Sequence, residues 1–229
     1  MYAIGNHTGD FSMNLGIDPA LLELRSRAKG NELSYSFVMD CLKTYKSPRS
    51  KITQLLKTGA LIRVKKGLYV FCQPLVKGQI CKELLANLIF GPSYVSLEWA
   101  LAFHGLIPER VEEVTSVNFK RKKDYATPLG RYSYFKIPVA RYPVGVDIIE
   151  LNHYQKFLMA SKEKAICDFL TIRRGKFVSQ KHFMEILFED MRIDEDDIRD
   201  LNLGIIDEIN KSHPHSSIGG LFKVVEKLK

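Results

Sequence analysis

Between Ser47 and Phe71 the periodicity of the chain switches from helical to alternating within two residues. Ser47-Pro48 reads as a helix start, with serine as cap and proline in the first turn, where its missing N–H and fixed φ cost nothing. Ile52, Leu55 and Leu56 make one apolar stripe, which leaves Arg49, Ser50, Lys51, Thr53, Gln54 and Lys57 on the outward faces before Gly59 ends the segment. Two short runs rich in β-branched and aromatic residues follow at 61–64 and 68–71, around Lys65-Lys66-Gly67, and read as a hairpin. Upstream, Asp18-Pro19 starts a helix over 18–28. A second helix is predicted over 34–43, with Phe37, Val38, Cys41 and Leu42 on its buried side and a turn of about four residues before Ser47. Helix, turn, helix and basic-tipped hairpin is the order of a winged helix-turn-helix. Residues 1–17 have no period and are expected to form a poorly ordered lead-in.

Charge supports the division of the chain that this pattern suggests. Residues 1–78 hold 12 Lys/Arg against 5 Asp/Glu, a net of +7, whereas residues 79–229 hold 22 against 21, a net of +1. Nearly all of the formal +8 therefore belongs to the first third, the footprint of a small polyanion-binding module joined to a body with another task. A polar stretch broken by Pro74 and Gly78 puts the boundary near residue 78. With 45% apolar residues, both parts have enough for a packed core.

In residues 79–229 the patterns predict helices over 79–90 and 96–104. Strands are predicted over 114–118, 131–137 and 146–151, and further helices over 161–170, 179–188, 194–202, 203–210 and 217–229. Lys120-Arg121-Lys122-Lys123 reads as a solvated loop between strands, and residues 185–208, with ten acidic and two basic side chains, as an acidic helical face. The expected class is α+β: an N-terminal winged helix-turn-helix DNA-binding domain over 1–78, then a larger domain over 79–229 with a small β-sheet and several helices.

No apolar run approaches a membrane span and the N-terminus lacks the order of a signal peptide, so a cytoplasmic protein with no membrane partner is expected. Cys41, Cys72, Cys81 and Cys167 match no metal or redox spacing, and the six histidines form no H-E-x-x-H motif. His213-Pro214-His215 is explained by a polar loop, and Ser96, Glu98, His104 and Glu109 by helix packing. No enzyme activity, cofactor or metal is expected.

The chemistry that remains is nucleic-acid recognition. Arg and Gln can contact base edges bidentately, and Lys, Ser and Thr bind phosphates. Arg49, Ser50 and Gln54 are expected to face the groove of double-stranded DNA, Thr53 to lie on the same outward faces, and Lys51 and Lys57 to meet its backbone. Arg63, Lys65 and Lys66 are expected to be phosphate contacts from the hairpin. The charge alone fits equally an interaction protein that binds RNA or an acidic partner.

Four segments carry a resemblance: Tyr94-Val95-Ser96-Leu97-Glu98-Trp99-Ala100-Leu101-Ala102-Phe103-His104-Gly105-Leu106-Ile107-Pro108-Glu109; Gly59 to Val70 with its Lys66-Gly67-Leu68-Tyr69-Val70; Thr127-Pro128-Leu129-Gly130-Arg131-Tyr132; and Ala160-Ser161-Lys162-Glu163-Lys164-Ala165-Ile166-Cys167-Asp168. With them the chain resembles the AbiEi family of antitoxins from type IV, abortive-infection toxin–antitoxin systems. The resemblance spans about residues 45–170, and departs where Lys162 stands in place of the usual proline before Glu163. It implies a winged-helix domain that represses its own operon at the operator, and a C-terminal domain required to counter a cognate nucleotidyltransferase-like toxin. A solitary regulator without a toxin is the alternative.

Overall fold

A computed structural model describes residues 18–174 and 179–229. The expected lead-in over residues 1–17 lies outside them. The chain divides into two compact units, Met1–Gly78 and Gln79–Lys229.

In the first unit, α1 (Pro19–Arg27) is capped by Asp18, whose carboxylate accepts from Ala20 N at 2.9 Å. At its other end the Arg25 guanidinium donates to the carbonyls of Ala28 (2.7 Å) and Gly30 (2.8 Å) and lies 4.4 Å from the centre of the Phe71 ring. A short strand, β1 (Glu32–Ser34), leads into α2 (Tyr35–Cys41), where the Ser34 hydroxyl accepts from Phe37 N. Then come α3 (Pro48–Lys57), β2 (Leu61–Lys65) and β3 (Leu68–Phe71). The sheet order is β1-β3-β2, antiparallel throughout. Gly59 after α3 and Gly67 in the β2–β3 turn have φ of +72° and +86°, the left-handed region that glycine enters without strain. Leu24, Val38, Leu42, Ile52, Leu55, Leu61 and Phe71 form the core.

Two details differ from the sequence reading. Helix α2 ends at Cys41, and six residues, 42–47, separate it from α3. Leu42 is fully buried and turns the chain, with Tyr45 N bonded to its carbonyl, so it leaves the helix to fill the core. Strand β1 was not expected, because Leu33 is its one buried residue and a three-residue strand has too little alternation to read.

The second unit is a six-stranded mixed sheet with helices. Its elements are α4 (Lys82–Ile89), β4 (Tyr94–Val95), α5 (Leu97–Phe103), β5 (Val114–Asn118), β6 (Lys123–Thr127), β7 (Gly130–Lys136), β8 (Val146–Asn152), β9 (Gln155–Ala160), α6 (Lys162–Phe169), α7 (Gln180–Met184), α8 (Glu195–Arg199), α9 (Leu203–Ser212) and α10 (Ser216–Leu228). Helices α6 and α7 run on as π-helical turns at Leu170–Arg174 and Glu185–Asp190. Strand order is β6-β7-β5-β4-β9-β8, with β5·β7 and β4·β9 parallel and the other pairs antiparallel.

Of the loop expected at 120–123, residues 120–122 are loop and Lys123 begins a strand. Asn118 Oδ1 accepts from Lys120 N (2.7 Å) and Arg121 N (2.9 Å) to make the turn, and Lys123 already pairs with Tyr134 in β6. Lys123 stands exposed on the edge strand β6, where its charge discourages pairing with other chains.

Helix α10 starts at an imidazole: His215 Nδ1 accepts from Ser217 N at 3.2 Å. Burial, aided by Arg141 and His213, holds the ring below its ordinary pKa of 6.5. A protonated ring cannot accept this bond, and the unfolded chain takes up the proton first. The cap's contribution is therefore present above about pH 6.5 and lost as pH falls below it. His215→Asn replaces the ring by a non-titrating capping residue. The melting-temperature advantage of the parent over this variant should shrink between pH 7.5 and 5.5, which thermal denaturation at a series of pH values reads directly.

Candidate nucleic-acid interface

Helix α3 packs against β2 through Ile52 and Leu55, which are 4% and 1% exposed. Its 3.6-residue period then turns Arg49, Ser50, Thr53, Gln54 and Lys57 to solvent. Tyr35, the first residue of α2, joins this face to the hairpin. Its N–H donates to the Gly67 carbonyl at 2.9 Å, and its hydroxyl accepts from Arg49 Nε at 3.2 Å. The start of α3 and the tip of β2–β3 are thus tied to one residue, which places Arg49 and the Lys66-Gly67 turn on a common surface. Sequence reading missed Tyr35. An aromatic on the first turn of a helix, outside the Phe37, Val38, Cys41 stripe, was the available signal.

The predicted residues do not all remain available. Lys51 is drawn inward: its ammonium lies 2.6 Å from Asp18 Oδ2, 3.3 Å from Gln54 Oε1 and 5.6 Å from the centre of the Tyr45 ring, and its side chain is only 17% exposed. It fastens α3 to the cap of α1, so the lysine expected at the DNA backbone also makes a structural contact. The Thr53 hydroxyl donates to the Arg49 carbonyl at 3.0 Å, and the Ser50 and Ser47 hydroxyls are bonded to each other at 2.7 Å. Both serve the helix itself, which leaves Arg49, Gln54 and Lys57 as the long polar side chains directed outward. On the hairpin, Arg63 and Lys66 are exposed and Lys65 is half-buried, its pKa lowered by burial.

No protein-family model matches the chain, and no curated protein matches it.

The polar residues noted around α5 have partners within the second unit. Ser96 donates to Asp168 at 2.9 Å, Glu98 accepts from Arg173 at 2.7 Å, His104 Nε2 lies 2.7 Å from the Ala160 carbonyl, and Glu109 pairs with Arg192. Among the described residues no group of His, Cys, Asp and Glu is arranged to hold a metal ion, and no helix is long and apolar enough to cross a membrane.

If the hairpin grips phosphates, replacing Arg63, Lys65 and Lys66 together by alanine should flatten the slope of log affinity against log salt by roughly two to three units, since each neutralised phosphate releases about 0.9 counterion. Duplex titrations at several salt concentrations measure it. An unchanged slope places the hairpin away from the backbone.

Proposed function

We propose that this protein is a DNA-binding transcriptional repressor whose first unit is a winged helix-turn-helix. The observation that carries the reading is the surface joined at Tyr35, where an outward row of Arg49, Gln54 and Lys57 stands beside a hairpin bearing Arg63 and Lys66. The element order α1-β1-α2-α3-β2-β3, the β1-β3-β2 sheet and the net charge of +7 over residues 1–78 support it. Helix α3 is the recognition helix in this reading, with Arg49 and Gln54 at base edges and Lys57, Arg63, Lys65 and Lys66 at phosphates. Tyr35 holds Arg49 in place. The resemblance to AbiEi antitoxins extends the proposal: the protein represses its own operon, and its second unit counters a nucleotidyltransferase-like toxin.

A promoter reporter driven by the region upstream of the protein's own gene tests the first part. Co-expression should lower the signal, and the Arg49→Ala, Gln54→Ala double variant should restore it; a reporter indifferent to the protein rejects repression. Co-expression with a nucleotidyltransferase encoded beside the gene tests the second part, with restored growth expected and unrelieved toxicity against it.

A further inference from the structure

Helix α5 and the segment after it present apolar and acidic side chains for which DNA binding has no use. Two hollows flank residues 107–111 and share Ile107, Glu109, Arg110 and Val111 in their walls. The smaller, of about 380 Å³, adds Glu83, Trp99 and Phe103. The larger, of about 490 Å³, is floored by Leu101, Phe169 and Met191 and rimmed by Glu98, Glu112, Glu113 and Asp190.

Three properties define what fits there. The surface is apolar at its base: Phe103 is 42% exposed although it is a large hydrophobic side chain, and Trp99 is half-buried. The walls are acidic, with six carboxylates (Glu83, Glu98, Glu109, Glu112, Glu113 and Asp190) against the guanidinium of Arg110 and, over Trp99, the ammonium of Lys82. Arg173 on Glu98, Arg192 on Glu109 and Arg110 on Glu112 offset this only in part. Finally, the chain itself shows how a cation sits at the smaller hollow. Trp99 Nε1 donates to Glu83 Oε1 at 2.9 Å while Lys82 Nζ stands 5.8 Å from the Trp99 ring, an aromatic face backed by a carboxylate.

We infer that the two hollows form a docking surface for a basic segment of a protein partner. Arginine or lysine stems lie along Phe103 and Ile107, with their charged ends at the rim of Glu109, Glu112 and Glu113, and an apolar side chain of the same segment enters the larger hollow over Leu101, Phe169 and Met191. Nucleic acid does not fit, because its phosphates would meet the carboxylate rim. The inference rests on the second unit alone and stands whether or not the first unit binds DNA.

Trp99 is the only tryptophan in the chain, so its fluorescence in the full-length protein reports on this surface directly. The probe is a short synthetic peptide alternating leucine and arginine, with a leucine–glutamate peptide and an RNA oligonucleotide as comparisons. The leucine–arginine peptide should shift Trp99 emission saturably and the other two should not. Glu109→Lys with Glu112→Lys changes two exposed side chains and should weaken the response by at least roughly tenfold. The neutral pair Glu109→Gln and Glu112→Gln should fall between, with circular dichroism and melting temperature unchanged. No saturable response to the arginine peptide, a response that the charge reversal leaves intact, or saturable RNA binding at Trp99 would overturn the inference.

Discussion

Replacing Asp168 by alanine should destabilise the second unit by about 3–5 kcal/mol, the range found when one member of a buried ion pair is removed and its partner is left without compensation. Asp168 has no exposed surface. Its Oδ2 accepts from Tyr94 Oη at 2.8 Å and Ser96 Oγ at 2.9 Å, and its Oδ1 lies 3.4 Å from the ammonium of Lys164, one turn earlier on α6 and also fully buried. Lys164 in turn donates to the Arg141 carbonyl at 2.7 Å, and the Arg141 guanidinium donates to the His213 carbonyl at 2.9 Å. One carboxylate thereby fastens α6 to β4 in the middle of the sheet and to the start of α5. Burial lowers the pKa of Lys164, with Asp168 opposing the shift, and it raises that of Tyr94. Without the carboxylate, the lysine must stay charged in an apolar interior or give up its proton there, and both are unfavourable. Denaturant unfolding should show the large loss for Asp168→Ala. Asp197→Ala, which removes a half-buried partner of the exposed Lys162, should cost under about 1 kcal/mol. Equal small losses would mean that the cluster contributes little.

This cluster shows what the sequence could and could not reveal. Lys164 and Asp168 stand one helical turn apart, but nothing in their spacing says that both are buried or that Tyr94 and Ser96, some 70 residues earlier, meet them. Long-range pairing leaves no local trace. Strand β4 has the same origin: two residues carry no period, and Tyr94–Val95 is a strand because β5 and β9 close on either side of it. Strand β9 was readable and overlooked, since Phe157-Leu158-Met159-Ala160 is a short apolar run between Lys156 and Ser161. By contrast β5, with its unbroken apolar and Ser/Thr run, and α3, with strong start and stop residues, were legible. At the candidate interface the sequence identified the outward side chains by period alone. It could not show that Asp18 withdraws Lys51, or that Tyr35 steadies Arg49, because each contact joins residues on different helices that are far apart in sequence.

The second large effect belongs to that interface. Arg49 and Gln54 are the side chains on α3 able to make bidentate contacts to guanine and adenine edges, and each such pair is worth about 1–3 kcal/mol of discrimination. Because they lie more than a helical turn apart, their losses should approximately add, so the double alanine variant should lose on the order of 2–6 kcal/mol, roughly 30-fold or more, on its specific site. Binding to unrelated duplex, which depends on the cations, should change far less. Ile52 and Leu55, which hold α3 in place, are untouched, so the fold of the variant should match the parent.

The most direct measurement titrates the full-length protein, at one fixed salt concentration, with the duplex from upstream of its own gene, a shuffled duplex of the same composition, and RNA of the upstream sequence. The upstream duplex should be preferred by at least roughly a thousandfold over the shuffled one, with most of that preference lost in the Arg49→Ala, Gln54→Ala variant. Equal affinity for the two duplexes, tighter binding to the RNA, or a preference that survives both substitutions would contradict the proposed function.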